Sequence, residues 1–405
     1  MMMVKIAFRN IFRQKRRTIL TALTIFGGFA LATLSIGWAD GSYNFIINMF
    51  TQNRLGHIQI HAQDYRDRPS LYKTIGDYHH IEEQLDQIEE VKAWSPRIFA
   101  AGLVSVNNQS AGAQIIGIDP IKENEATNFN KKVAVGESFS ESPSREAILG
   151  KGLAKTLNAK IHDEVVIVTQ GADGSIANDL YQITGIIETG DDISDRLACY
   201  LYLKDAQDLL VLHERIHEIA IVATHLPKVK KLADTIRQSL NNSDLEVSPW
   251  QIFARSFYQA MKADKEGMWI MLLIIMLIVA VGVLNTVLMS VLERRREYGI
   301  LKAMGTQPHQ IFWLVVFEVY IIAVFSIVIG ALLGSLLNYL LSFQGITLPQ
   351  AFTYGGMEFK EMYTEVNARS IYIPLITVIL SATLVSIFPA LQAARTEPAK
   401  AMRIH

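Results

Sequence analysis

The chain has 405 residues, 50% hydrophobic and 19% charged, with a formal net charge of −1. That balance excludes a protein held to nucleic acid by bulk charge. A purely soluble enzyme is excluded too, because the apolar residues gather in four blocks near 18–39, 268–292, 311–341 and 371–392.

Residues 1–17 carry Lys5, Arg9, Arg13, Lys15, Arg16 and Arg17 and no acid, with Val4, Ile6, Phe8, Ile11 and Phe12 between them. This reads as a basic amphipathic helix on the cytoplasmic surface. A nucleic-acid patch is the other use of such charge, but a span follows directly. Residues 18–39 form that first span. Its apolar stretch exceeds the ~7–15 residues of a signal peptide, so it is read as retained. The basic residues ahead of it place the N-terminus inside.

Residues 40–266 then form an extracytoplasmic α+β domain. Ser42–Arg54 and Ile252–Lys265 read as stalk helices. His57 to His61 alternates as a strand, with the two histidines on one polar face. They stand roughly 13 Å apart, too far to share a metal directly. A helix is expected at Ile81–Glu90, and strands at Phe99–Val106 and Ala113–Ile118 around the Asn107-Asn108 turn. Glu146–Asn158 carries a helix, broadly Gly152–Leu157. Glu164–Thr169 and Leu180–Ile187 read as a hairpin around Asp173-Gly174. A strand at Leu197–Leu203, a helix at Lys204–Leu212, a strand at Ile216–Val222, a helix at Leu226–Asn241 and a strand at Leu245–Val247 complete the domain. The last β-α-β unit is expected to pair with Ile81–Val106, leaving residues 120–213 as an inserted β-rich subdomain. The single cysteine, Cys199, cannot form an intrachain disulfide and reads as a small core residue.

Residues 267–292 are the second span. Asn285 is a polar amide within it and should face another helix. The third span, 311–341, contains Glu318, near enough to the inner end to reach the interface, and a Gly330-x-x-x-Gly334 pair for close packing within one chain. A short outer loop, 342–370, leads to the fourth span, 371–392. The tail, 393–405, carries Arg395, Lys400 and Arg403 and is cytoplasmic. All basic clusters then fall on one side, so four spans are self-consistent.

Between the second and third spans, residues 293–310 hold the densest signal. Glu293 is followed by Arg294, Arg295, Arg296 and Glu297; Tyr298–Met304 then reads as a short amphipathic helix, stopped by Gly305. Glu293-Arg294, Glu297, Gly299-Ile300-Leu301-Lys302-Ala303 and Gly305 resemble the coupling-helix signature of the FtsX/MacB/LolC-LolE type of ABC-transporter permease. The resemblance covers the whole chain, including the terminal series Pro389-Ala390, Ala393-Ala394-Arg395, Pro398 and Ala401.

The resemblance implies an α-helical membrane protein of the bacterial inner membrane. It would have four transmembrane helices plus a large periplasmic α+β domain between spans 1 and 2. It implies a permease subunit paired with a second permease, identical or homologous, and gripped from below by two ABC ATPase chains. Ile300, Leu301 and Met304 would enter an ATPase groove, with Arg294, Arg295, Arg296, Glu297 and Lys302 orienting it by charge. ATP and Mg would sit on those partners, with no cofactor on this chain. The lipoprotein-releasing branch implies extraction of a lipid-anchored protein, its acyl chains near Phe26, Phe29, Trp38, Phe45, Phe50, Met268 and Leu272. Tripartite efflux, control of a cell-wall hydrolase by a periplasmic partner, and a membrane-tethered receptor or scaffold without an ATPase remain open. The sequence contains no Gly-x-x-x-x-Gly-Lys-Ser/Thr, His-Glu-x-x-His or Gly-x-Ser-x-Gly motif.

Overall fold

The computed structural model describes residues 7–10, 13, 15–51, 55–140, 142–354 and 357–398. Val4, Lys5, Ile6, Ile11 and Phe12 of the amphipathic segment, Gln52–Arg54 of the first stalk, and Lys400, Ala401 and Arg403 of the tail lie outside the described residues. Two compact units emerge: residues 1–43, 261–348 and 361–405 form a helical unit, and 44–260 with 349–360 form a sheet domain.

Among the described residues, four helices are long and apolar enough to cross a membrane: Lys15–Phe50, Arg255–Glu293, Pro308–Gln344 and Arg369–Ala394. The second is continuous through the predicted stalk, and the first runs through the described part of its own. The third begins with Pro308 at its first position and a reciprocal cap between Gln307 and Gln310. In the second helix, Val279, Val283, Val287 and Val291 repeat every fourth residue. They form one stripe against Ile25 and Phe29 of the first helix, Val315 and Val319 of the third, and Val378 and Ala382 of the fourth. A Cβ on Gly330 would stand 3.0 Å from Phe29, and one on Gly334 3.1 Å from Thr33. The glycine pair thus packs the third helix against the first within the chain. Asn338, fully buried, donates to the carbonyl of Thr33 at 3.0 Å and passed unnoticed in the sequence.

Asn285, expected to face another helix, meets none within this chain. It is exposed, beside Val281 on the outer face of the second helix. At about 100° per residue it lies opposite the stripe of Val283 and Val287, so it cannot face the other helices of this chain.

In the sheet domain, ten strands form one mixed sheet. They are β1 (Ile58–Ala62), β3 (Val91–Val106), β4 (Gln109–Ile118), β5 (Val133–Gly136), β6 (Glu146–Gly150), β7 (Glu164–Gln170), β8 (Ile176–Ile187), β9 (Ala198–Tyr202), β11 (Glu218–Ala223) and β12 (Leu245–Pro249). A separate pair, β2 (Ile75–Gly76) and β10 (Arg215–Ile216), lies apart.

β3 is the hinge of the topology. Over Val91–Arg97 it pairs with β11, and over Leu103–Ser105 with β7. The pairings β3-β4-β9-β6-β8-β7 return to β3 and close a six-stranded ring. Their registers put Val104, Ile115, Cys199, Leu149, Ile183 and Ile167 on one face, one residue from each strand, all fully buried. The boundary of the inserted part therefore lies inside β3, not at residue 120. Strand hydrogen bonds join the two parts, which composition along the chain does not reveal. The last β-α-β unit does pair with the earlier segment, through β11 on β3 from Val91 to Arg97; β1 sits between β11 and β12, and Val229–Leu240 is the crossover helix.

Three local readings also change. Ile81–Glu90 is a helix at Tyr78–Asp86. Glu146–Gly150 is a buried strand that precedes the helix Lys151–Leu157. The loop 342–370 contains a pair of strands, β13 (Ile346–Tyr354) and β14 (Met357–Met362), the latter with the alternation Met357-Glu358-Phe359-Lys360.

His57 and His61 form no polar surface; both are buried. His57 Nδ1 accepts the Ala223 N–H at 2.9 Å, and burial lowers its pKa to about 4. His61 lies 3.4 Å from Glu218. Glu218 belongs to a buried trio: Arg97 donates to Glu123 at 2.9 and 2.7 Å and to Glu218 at 2.9 Å. Burial alone would raise the Glu123 carboxyl, but Arg97 and Thr127 outweigh it and hold the group below the usual range. The trio borders a cavity of about 490 Å³. Arg66, Arg97 and Lys132 line it together with Glu123 and Glu218, and Arg66 pairs with Glu246 at 3.1 Å.

Candidate functional site at the joint between the second and third long helices

The second long helix ends at Glu293, and a short helix, Arg295–Ala303, follows. Arg294 is the joint. Its N–H bonds to Ser290 O at 3.2 Å, and its carbonyl accepts from Tyr298 at 3.1 Å. Gly305, at φ +96°, closes the short helix with N–H to Lys302 O at 3.0 Å. This left-handed turn suits glycine.

The charges of this segment are largely consumed within the chain. Arg294 is 5% exposed. Its Nε donates to Glu297 at 3.0 Å and its Nη1 to Glu318 at 2.8 Å, and its guanidinium lies 5.2 Å from the Tyr298 ring. Glu297 also pairs with Arg13, and Glu293 with Arg17. Lys302 Nζ donates to the carbonyls of Ala394 at 3.0 Å and Thr396 at 2.9 Å. There it caps the C-terminal end of the fourth helix, where carbonyls lack partners and the dipole is negative. Arg294, Glu297 and Lys302 therefore do not form the outward charged face expected from the sequence. Helical phase turns Arg294 and Lys302 inward. Glu318 is not a free interfacial acid; it is largely buried against Arg294.

A different set faces outward. Arg295, Arg296, Ile300, Ala303, Met304 and Gly305 are exposed. Gly299 is buried with Tyr298, and Leu301 packs against the helical core, contrary to its expected place on the docking face. The outward surface is thus a small apolar patch, Ile300, Ala303 and Met304, with two arginines one turn away.

Two family models match the chain. A model of the MacB-like periplasmic core domain matches residues 18–239, more than half the chain, and one of the FtsX-like permease C-terminal matches 269–398. The chain belongs to the FtsX/MacB-type family of ABC-transporter permeases. The lipoprotein-releasing system transmembrane protein LolC of Neisseria meningitidis is 20% identical over 369 residues, 88% of this chain and 89% of the relative. LolE of Haemophilus influenzae is 20% identical over 364 residues, 85% of each. The macrolide export ATP-binding/permease protein MacB of Campylobacter jejuni is 26% identical over 420 residues, 98% of this chain and 60% of the relative. An ABC-transporter permease works with an ATPase, and the fold class read from the sequence holds in full.

The residues expected around acyl chains divide between the two units. Phe29 and Leu272 are buried in two separate clusters of helix packing. Phe26 and Met268 are half-buried, and Trp38 is exposed. In the sheet domain, Phe50 stacks on Phe257 at 3.9 Å, and Phe45 meets Phe359 edge-on at 6.2 Å. Apolar composition marked these side chains without saying which were already spent on packing.

The ion pairs themselves had a signal that sequence reading missed. Arg13 and Arg17 are four residues apart, as are Glu293 and Glu297, so two helices side by side can pair them twice. A lone acid in a span, Glu318, also demands a cation, and Arg294 was the nearest inward candidate.

Proposed function

We propose that this chain is a mechanotransmission permease subunit: an ABC ATPase grips the short helix Arg295–Ala303, and its ATP-driven motion moves the sheet domain beyond the membrane. The supporting observation is the outward patch of Ile300, Ala303 and Met304. Ile300 is 44% and Met304 72% exposed on a helix whose other side is packed. Water-exposed apolar residues of that size, beside Arg295 and Arg296, suit a partner groove with an apolar floor and an acidic rim. Two permeases, this chain with a copy or a homologue, would stand over two ATPase chains. ATP and Mg belong to those chains, and this one is non-catalytic. The termini and the short helix would be cytoplasmic, and the sheet domain periplasmic.

Relatedness to LolC and LolE along most of the chain supports release of lipid-anchored proteins from the inner membrane as the transported task. The likeness to the macrolide exporter over 98% of the chain favours export of a small molecule as the second reading. Substituting Ile300→Asp together with Met304→Asp in the full chain, co-expressed with its ATPase, should abolish co-purification while membrane insertion is unchanged. Undiminished co-purification would remove the docking reading. ATP-dependent release of a tri-acylated protein from proteoliposomes, with no macrolide efflux, would favour the lipoprotein branch; the opposite pattern would favour export.

A further inference from the structure

We propose that the Arg294–Glu318 pair is a latch that carries motion of the short helix into the third long helix, making Arg294 a positioning residue and not a docking one. This rests on the reading that an ATPase grips the short helix. The backbone leaves helical geometry at Arg294 (φ −92°, ψ 12°), although its N–H and carbonyl keep helical bonds with Ser290 and Tyr298. At its other end the short helix stops at Gly305, with φ +96°. Those two bends are the main-chain links of the short helix to its neighbouring spans, so along the chain a swing would reach the third span only through the turn at Gly305.

The side chain of Arg294 closes that gap. One guanidinium holds Glu297 on the short helix and Glu318 on the third helix, at 3.0 and 2.8 Å. Glu318 lies ten residues past Pro308, roughly 15 Å along the helix axis, so the contact grips the third helix well inside its end. Opening the pair would leave an uncompensated charge among Val315, Val319 and Tyr298, all nearly fully buried. That cost keeps the latch shut through the stroke. Arg13–Glu297 and Arg17–Glu293 tie the first helix to the same node. Arg295 and Arg296, next in sequence, have no such buried partner among the described residues and face outward.

The rival role is neutralisation: Arg294 would only keep Glu318 from standing alone. The two roles differ when both charges are removed. The full chain is reconstituted in lipid nanodiscs with its co-expressed ATPase, as wild type, Arg294→Gln, Glu318→Gln and the Arg294→Gln/Glu318→Gln double variant. ATPase association, stimulated ATP turnover and amide exchange over residues 298–303 are measured. The latch predicts unchanged association, stimulation lowered about tenfold in every variant including the double one, and faster exchange in the short helix. Wild-type stimulation in the double variant would overturn the latch, because neutralisation would then suffice. Lost association would overturn it as well, by making Arg294 a docking residue. The Ile300→Asp/Met304→Asp variant runs in parallel; if it keeps its ATPase, the docking reading fails by itself.

Discussion

In the sheet domain Arg97 lies between Glu123 and Glu218, and in the helical unit Arg294 lies between Glu297 and Glu318. Both arginines are at most 5% exposed. Their surroundings differ. Around Arg97 two of the three elements are already joined: β3 and β11 share a ladder from Glu218 opposite Arg97 to Ala223 opposite Val91, while Glu123 stands on the helix Pro120–Thr127. The Arg97–Glu218 pair adds charge to a junction that backbone hydrogen bonds fix. Around Arg294 the joined elements are separate helices, and each satisfies its own backbone internally. There the side chain supplies a connection that main-chain hydrogen bonds do not. A buried ion pair is weak evidence of stabilisation in either place, because desolvation offsets much of its attraction. What distinguishes the two is what else holds the same elements.

That contrast can be broken at Arg97 first. Arg97→Leu removes the cation that both buried carboxylates contact directly and should destabilise the sheet domain by about 3–5 kcal/mol, read as a lowered unfolding midpoint by tryptophan fluorescence. Replacing all three charged residues with apolar ones of similar volume should recover most of that loss. Failure to recover would mean that the trio does more than neutralise itself.

A smaller effect is expected from His57. Its imidazole protonates near 6.5 in the unfolded chain and near 4 in the folded one, because burial disfavours the cation. Between those values the unfolded chain holds more protons, so stability falls as pH falls. The sheet domain should lose about 2 kcal/mol between pH 7 and pH 5 from this group, and His217, also lowered by burial, acts in the same direction. His57→Asn should flatten the profile. An unchanged pH slope in that variant would remove His57 as the cause.

Much of this was legible in the chain. The four helices announce themselves by length and apolarity, and the short helix by its glycine stop. Most strands of the sheet domain show two-residue alternation or a turn such as Asn107, which adopts φ 53°. Closure of the ring was not legible, because it depends on β3 changing neighbours midway, a choice made by register and not by composition. The exposure of Asn285 could have been found by setting its phase against the valine stripe. The inward turn of Arg294 and Lys302 was harder to see. Their neighbours Arg295 and Arg296 carry the same charge, and only the break at residue 294 decides which arginine faces the bundle.

The docking face can be read directly by thiol labelling. Cys199 is fully buried, and burial pushes its thiol up to about 12, so it is inert toward maleimide at neutral pH. A Met304→Cys chain in nanodiscs would therefore carry one reactive thiol, on the outward face of the short helix. Labelling should be fast for the permease alone and suppressed when the ATPase is bound. Equal labelling rates with and without bound ATPase would contradict the account.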